Sequence, residues 1–128
     1  MKILFDSHAL VWFLDGHPRF SRRARSTIEE PGAILHVSAV SPWEIANKVR
    51  LGKWPEAAKL AEAFITIMNE FSLHPLPITL EHAHRAGSLP GPHRDPFDRM
   101  LAAQAQIENM PLVTADPAFR AFDVRVLW

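Results

Sequence analysis

His93-Arg94-Asp95-Pro96-Phe97-Asp98-Arg99 closes a loop rich in proline and glycine and opens the strongest helical stretch of the chain, Pro96 to about Asn109. Asp95 is a good N-cap, and Pro96 suits the first helical position, where no N–H is needed. Asp98 falls at the third position, beside the positive end of the helix. Two carboxylates therefore share one helix N-terminus. Met100, Leu101, Ala103, Ala105 and Ile107 make the remainder apolar and small, which predicts a helix mostly buried against a sheet. A pair of acids at the mouth of a buried helix is a candidate cation site.

On the N-terminal side of this stretch, Ile3-Leu4-Phe5 reads as a short apolar strand ended by Asp6-Ser7, with a helix over Ala9 to Leu14. Ser21 to Glu30 forms a second helix, carrying Arg22, Arg23 and Arg25 and stopped by Pro31-Gly32. Ile34 to Val40 is the clearest strand. Ser41-Pro42-Trp43-Glu44 then has the form of a capping box, Ser41 as cap and Glu44 at the third position, echoing Asp95-Pro96-Phe97-Asp98. Gly52 closes that helix, and Pro55 to Phe71 predicts one long amphipathic helix with Leu60, Phe64, Ile67 and Met68 inward. His74 to Ile78 is the third strand candidate, which Pro75 and Pro77 make irregular or an edge strand at best. Glu81 to Ser88 is a helix leading to the Leu89 to Pro92 loop. Beyond the central helix, Pro111 to Thr114 and Val124 to Leu127 are strands, the first ended by Asp116-Pro117.

Strands separated by helices imply an α/β fold: one domain over residues 1–128, with a mainly parallel central sheet and helices on both faces. Ligands of such sheets bind at the carboxyl ends of the strands. That rule gathers Asp6, Glu44, Asp98 and Asp116 on one edge. Composition narrows the chemistry. With 14 basic and 14 acidic residues the net charge is zero, so no global field attracts nucleic acid, and only a local patch could. There is no Cys, which excludes disulfides, thiolate catalysis and Cys-type zinc sites. The apolar runs are too short to span a bilayer, and Met-Lys-Ile-Leu-Phe-Asp reads as a strand, not a signal peptide. These features point to the cytoplasm, away from membranes.

Each acid taken alone has a structural role open to it. Asp6 and Asp116 could be helix caps, and Glu44 and Asp98 could be ordinary first-turn acids. Taken together, four carboxylates in one cleft repel by roughly 4 kcal/mol per pair at about 4 Å and an effective dielectric of about 20. A divalent cation would remove that repulsion. Oxygen-only ligation favours Mg²⁺, with Mn²⁺ as a substitute. Such ions activate water and stabilise charge on a phosphoryl group.

The residues that carry this pattern resemble those of PIN-domain proteins, and within them the VapC toxins of bacterial toxin–antitoxin pairs. The resemblance runs through Phe5-Asp6-Ser7-His8-Ala9-Leu10-Val11-Trp12, then Ser41-Pro42-Trp43-Glu44-Ile45 with Lys48 and Gly52-Lys53. It continues through Leu76-Pro77-Ile78-Thr79 with His82-Ala83, His93 to Ala105, and Leu112-Val113-Thr114-Ala115-Asp116, and so covers nearly the whole length. The Asp-Pro-Phe-Asp-Arg block is its most specific part. The resemblance implies a Mg²⁺-dependent endoribonuclease with Asp6, Glu44, Asp98 and Asp116 as metal ligands and catalytic residues. Ser7, Asp95, Thr114, His93 and Arg94 are implied as a supporting shell or substrate contacts, with Asp95 either behind the ligands or only a helix cap. Ser7 stands where such proteins commonly carry Thr and keeps the hydroxyl. The implied partners are an RNA substrate and a cognate antitoxin that occupies the cleft, in a homodimer or a toxin–antitoxin hetero-oligomer.

Arg19, Arg22, Arg23 and Arg25 read either as a solvated helical face or as a phosphate grip. His82 and His84, two apart on a helix, point different ways and read as structural or surface residues. His93 and Arg94 either contact RNA and orient Asp98 or pack the loop. Trp12, Trp43, Trp54 and Phe97 read as core or subunit contacts, and Trp43, Trp54, Phe64 and Met68 as an apolar face for self-association. Two function classes follow: a metal-dependent ribonuclease, or a catalytically inactive PIN-like module that binds protein or RNA. A haloacid-type phosphatase would want an acid two residues beyond Asp6, where His8 stands.

Overall fold

The computed structural model describes all 128 residues. Five strands, β1 (Lys2–Phe5), β2 (Ile34–Ser38), β3 (His74–Leu76), β4 (Leu112–Val113) and β5 (Val126–Leu127), alternate with helices α1 (Ser7–Asp15), α2 (Arg22–Ile28), α3 (Val40–Arg50), α4 (Ala58–Glu62), α5 (Phe64–Glu70), α6 (Leu80–Ser88) and α7 (Pro96–Glu108). The sheet is wholly parallel, in the order β3-β2-β1-β4-β5. The first strand in sequence is thus the middle strand in space. It holds that place because Ile3, Leu4 and Phe5 are apolar on both faces of the pleat, as a strand covered on both sides must be. Ile3 and Phe5 join a core made by α1 to α5, whereas Leu4 points the other way into a second core with Leu101, Ala102 and Ala105 of α7. All three are 0% exposed. The α/β fold with helices on both faces is therefore as expected, and β3 lies at the edge that its prolines require.

Three local expectations are corrected. β2 ends at Ser38 and α3 begins at Val40, so Ser41 is no cap and the chain has no capping box there. The Ser38 hydroxyl accepts the Val40 N–H at 3.0 Å and turns the chain early. Ser41 then lies inside the first turn, where its hydroxyl accepts a bond from Ser7 at 3.0 Å. Pro42 remains tolerable because first-turn N–H groups have no helical partner. Glu44 moves to the second turn, on the buried side.

The long helix from Pro55 to Phe71 is in fact a 3₁₀ turn (Pro55–Ala57), α4 and α5, divided at Ala63, whose φ of −123° and ψ of 35° leave the helical region. No Pro or Gly marks the break; packing overrides an unbroken helical pattern. Leu60, Phe64 and Met68 still reach one core. That same packing corrects the proposed apolar face: Trp54, Phe64 and Met68 are buried within the chain, and only Trp43, 63% exposed, remains outside. No helix is long and apolar enough to cross a membrane.

Because Leu101 is fully buried between α7 and the sheet, Leu101→Ala is expected to remove about 2–5 kcal/mol of stability. Denaturant titration measures this, and a loss under about 1 kcal/mol would show that α7 is not packed as described.

Candidate active site

α1, α3, α7 and the end of β4 deliver the acids to the carboxyl edge of the sheet, each by a different local device. Asp6 follows β1 and caps α1: its Oδ1 accepts the Ala9 N–H at 2.6 Å. Its Oδ2 accepts a hydrogen bond from the Thr114 hydroxyl at the end of β4. That hydroxyl in turn accepts the Asp116 N–H at 3.0 Å, and Asp116 Oδ1 caps the 3₁₀ turn Pro117–Ala121 by accepting the Ala118 N–H at 2.9 Å. Glu44 is buried in α3 and pairs with Lys48 one turn later, at 2.5 Å.

At the N-terminus of α7, Asp95 Oδ1 accepts the N–H groups of Phe97 and Asp98, at 2.8 and 3.1 Å. This is the cap expected of it. Asp98, freed from capping, accepts a bond from His93 Nε2 at 2.8 Å. His93 therefore orients Asp98, and its ring also packs edge-on against Phe122, 5.6 Å between centroids. Arg94 is exposed.

The electrostatics show which acids the fold brings together. Burial pushes the Asp6 carboxyl up to about 7; the bonds from Thr114 and Ala9 oppose this, and the charges of Asp98 and Glu44 add to it. Burial likewise pushes Asp98 up to about 6, opposed by His93 and reinforced by Asp95 and Glu44. Asp6 thus feels the charges of Asp98 and Glu44, Asp98 feels that of Glu44, and Asp6 has no cationic side chain among its hydrogen-bond partners. Asp116 stands apart from the three at the solvent side, exposed, and joined to Asp6 through Thr114 and a shared cavity. Ser7 is turned away, buried against Ser41.

No three of the chain's His, Asp and Glu side chains are gathered closely enough to hold an ion by themselves. Mg²⁺ does not require such a cage, since it is commonly held by one or two carboxylates, water and substrate phosphate. Buried oxygen donors with raised proton affinity and no thiolate nearby fit a hard divalent cation of this kind.

Several residues took on roles their types did not disclose. Lys48 neutralises Glu44, a pairing readable from the four-residue spacing. Arg99 donates Nε to Ala86 O at 2.9 Å, one terminal nitrogen to His93 O at 2.9 Å and the other to Leu89 O, tying the loop before α7 to the end of α6. Three backbone carbonyls leave no signal in a sequence. His82 is buried, with Nδ1 accepting the Thr79 N–H and Nε2 against Glu108, a structural role as expected. Arg25 lies over the Phe20 ring, 5.2 Å from its centroid, and Arg22 and Arg23 are exposed, so the basic helix has a solvated face.

The PIN domain model matches residues 3–125. No curated protein matches the sequence. Among solved structures, the chain is similar to one in the crystal structure of VapBC2 from Rickettsia felis bound to a DNA fragment from their promoter, with TM-score 0.71, 18% identity, and coverage of 100% of this chain and 98% of that one. It is similar also to one in FitAcB from Neisseria gonorrhoeae, with TM-score 0.69, 20% identity and coverage of 100% and 97%. A third likeness is to a toxin-antitoxin complex from Klebsiella pneumoniae, with TM-score 0.59, 20% identity and coverage of 94% and 90%. At these identities the likeness is one of fold.

The raised carboxyl of Asp6 sets a pH dependence whose sign is fixed. Its folded value, about 7, exceeds the ordinary 3.8, so between those values the folded chain keeps a proton that the unfolded chain has lost. Stability of the metal-free protein should therefore be greatest at the acid end of this window and fall as pH rises through it, by up to about 1.4 kcal/mol per unit. Asp6→Asn, which keeps an oxygen for Ala9, should flatten the curve. Melting curves across the window test this; a parent and variant with parallel slopes would refute it.

Proposed function

The chain belongs to the PIN-domain family, and we propose that it is a Mg²⁺-dependent endoribonuclease, the toxin of a VapC-type toxin–antitoxin pair. The observation that carries this reading is the burial of Asp6 within reach of the charges of Asp98 and Glu44, with no cationic side chain to receive it. A module that only binds a partner gains nothing from that repulsion. Asp6 and Asp98 would hold the ion, with Glu44 and Asp116 completing the acidic edge. When bound, a divalent ion activates water for attack on a phosphodiester and offsets the charge that develops on the phosphoryl oxygens.

The chain's own groups prepare that edge. Ala9 N–H and the Thr114 hydroxyl hold both oxygens of Asp6, so the carboxylate cannot swing. His93 does the same for one oxygen of Asp98 and leaves the other open. Lys48 restrains Glu44 and cancels part of its charge, which keeps the edge from excluding the phosphate of RNA. With a cation bound, Asp6 and Asp98 would be held deprotonated, against the burial that raises their proton affinity. Asp95 supports the site by capping, and Arg94, exposed beside it, is available to a phosphate.

Support for the toxin role comes from the neighbours, one of them a toxin-antitoxin complex and two others, VapBC2 and FitAB, bound to DNA fragments. The proposal accordingly includes a cognate antitoxin that covers the acidic edge, and a toxin homodimer or toxin–antitoxin hetero-oligomer.

Purified protein should cut RNA with Mg²⁺ or Mn²⁺ and stop when EDTA is added. Asp98→Asn separates chemistry from helix stability. Loss of the first-turn charge costs about 0.3–1 kcal/mol, whereas loss of a ligand should lower cleavage more than the ~10–100-fold typical of groups that merely support a ligand. Asp95→Asn, which keeps the cap, should be milder on both counts. Melting temperature and cleavage rate are measured on the same samples. An Asp98→Asn protein that cuts at the parental rate, or a metal-free parent that cuts at full rate in EDTA, would shift the assignment to a non-catalytic binding module.

A further inference from the structure

His36 and His74 stand side by side on β2 and β3, the two strands that lie across β1 from β4. The strands hold them in register, so both side chains leave the same face of the sheet. Leu4 is in register with His36 on β1, and Leu76 follows His74 two places on; both are buried in the core that holds Leu101 and Ala102. The row leaves the core at the histidines: His36 is half-buried and His74 exposed. Their ring centres are 5.6 Å apart, with planes tilted by 38°. Two imidazoles bound to one ion at about 2.0–2.1 Å put their ring centres roughly 5–6 Å apart. One further bond decides what His36 can offer. Its Nδ1 lies 3.2 Å from the Ile34 carbonyl, which can only accept, so Nδ1 carries the hydrogen and Nε2 keeps its lone pair. Metal-binding histidines are commonly fixed in this way, by giving the second N–H to a carbonyl. Burial above all, opposed by the Ile34 bond and aided by the charges of His74 and Lys2, holds the ring below the ordinary histidine value. The lone pair is therefore free near neutral pH.

We propose that His36 and His74 chelate one transition-metal ion of the zinc class, Zn²⁺, Ni²⁺ or Cu²⁺, with water on the remaining positions. Imidazole nitrogen suits these ions, whereas oxygen-only ligation suits Mg²⁺ and Mn²⁺, so this pair and the acidic edge select different metals. The site owes nothing to the nuclease reading. No third His, Asp or Glu is gathered at the pair. Two protein ligands leave the ion exchangeable and open to further donors, unlike a closed four-ligand structural site. Packing alone does not call for histidine here, since Leu4 and Leu76 fill the same row with apolar side chains. Lys2 shares this face of β1, two residues before Leu4. Its charge, which disfavours a proton on His36, disfavours an ion there too.

Calorimetric titration of the full chain with ZnCl₂, in excess Mg²⁺ to occupy the acids, tests this. One Zn²⁺ per chain is expected at the pair, and imidazole NMR spectra should show His36 and His74 as the rings that shift. His36→Asn and His74→Asn should each weaken Zn²⁺ binding by more than about tenfold, the least that follows from losing a group that merely supports a ligand. His84→Asn, at an exposed histidine on α6, should leave binding unchanged. Lys2→Gln should tighten it severalfold by removing the opposing charge. Melting temperatures of the parent and His74→Asn should agree without metal and part when Zn²⁺ is added, because an ion held only by the folded chain stabilises it. If His36→Asn does not fold, His74→Asn, at an exposed position, decides alone. Equal Zn²⁺ affinity in the parent and His74→Asn, or shifts confined to other rings, would overturn the proposal. One ion per two chains would also overturn it, and would assign the ion to an interface between copies.

Discussion

A carboxylate buried at the end of the central strand is the constraint around which this molecule is arranged. Asp6 is 5% exposed, and an ion taken out of water costs several kcal/mol unless it is paired or hydrogen-bonded. The fold gives it two hydrogen bonds and no counter-charge, one from the first turn of α1 and one from the end of β4. The strand that carries it offsets the cost. Ile3, Leu4 and Phe5 are each fully buried, and each contributes about 1.5–3 kcal/mol. Three such side chains outweigh one poorly solvated acid, so the strand stays central and the acid stays inside. The same two hydrogen bonds join β1, α1 and β4 at one carboxyl group.

The neighbouring acids reach that edge by unlike means, and the differences set their electrostatics. Asp98 sits at a helix N-terminus with Asp95 doing the capping, so its carboxylate is left over for His93 and the cleft. Glu44 projects from the second turn of α3 and carries its own cation, Lys48, on the same face. Asp116 is held by its own cap and by Thr114, in contact with solvent. A single divalent charge placed among them would meet one compensated acid, one exposed acid and two whose carboxyls burial pushes up, Asp6 to about 7 and Asp98 to about 6. Were a cation held there, its competition with protons would fall on Asp6 and Asp98.

What could be read in advance divides along the range of the interactions. Asp95, Pro96 and Asp98 were legible because a cap, a first-turn proline and a first-turn acid are decided within four residues. The apolar β1, the proline-marked edge strand β3 and the placing of Asp6 and Asp116 just after strands were legible because pattern and topology decide them; the gathering of four acids into one close cluster is not met. The capping box at Ser41 was misread because its pattern is also met by a serine inside the first turn, and the deciding bond came from Ser38. The division at Ala63 carries no residue signal, and Trp54, Phe64 and Met68 were assigned to a subunit contact although the chain's own core needed them. Arg99 was invisible as a clamp because its three acceptors are backbone carbonyls 6, 10 and 13 residues away.

The position of β1 has a consequence for how the protein is made. β1 pairs on one side with β2 and on the other with β4, and Thr114, which completes the bonding of Asp6, lies 108 residues further along the chain. Until that part of the chain leaves the ribosome, β1 has one open edge and Asp6 lacks one of its two restraints. Non-local parallel pairing is slow to form and comes late. The acidic edge is thus completed only when β4 pairs with β1 and Thr114 reaches Asp6, and a nascent chain that carries Asp6, Glu44 and even Asp98 still lacks that restraint.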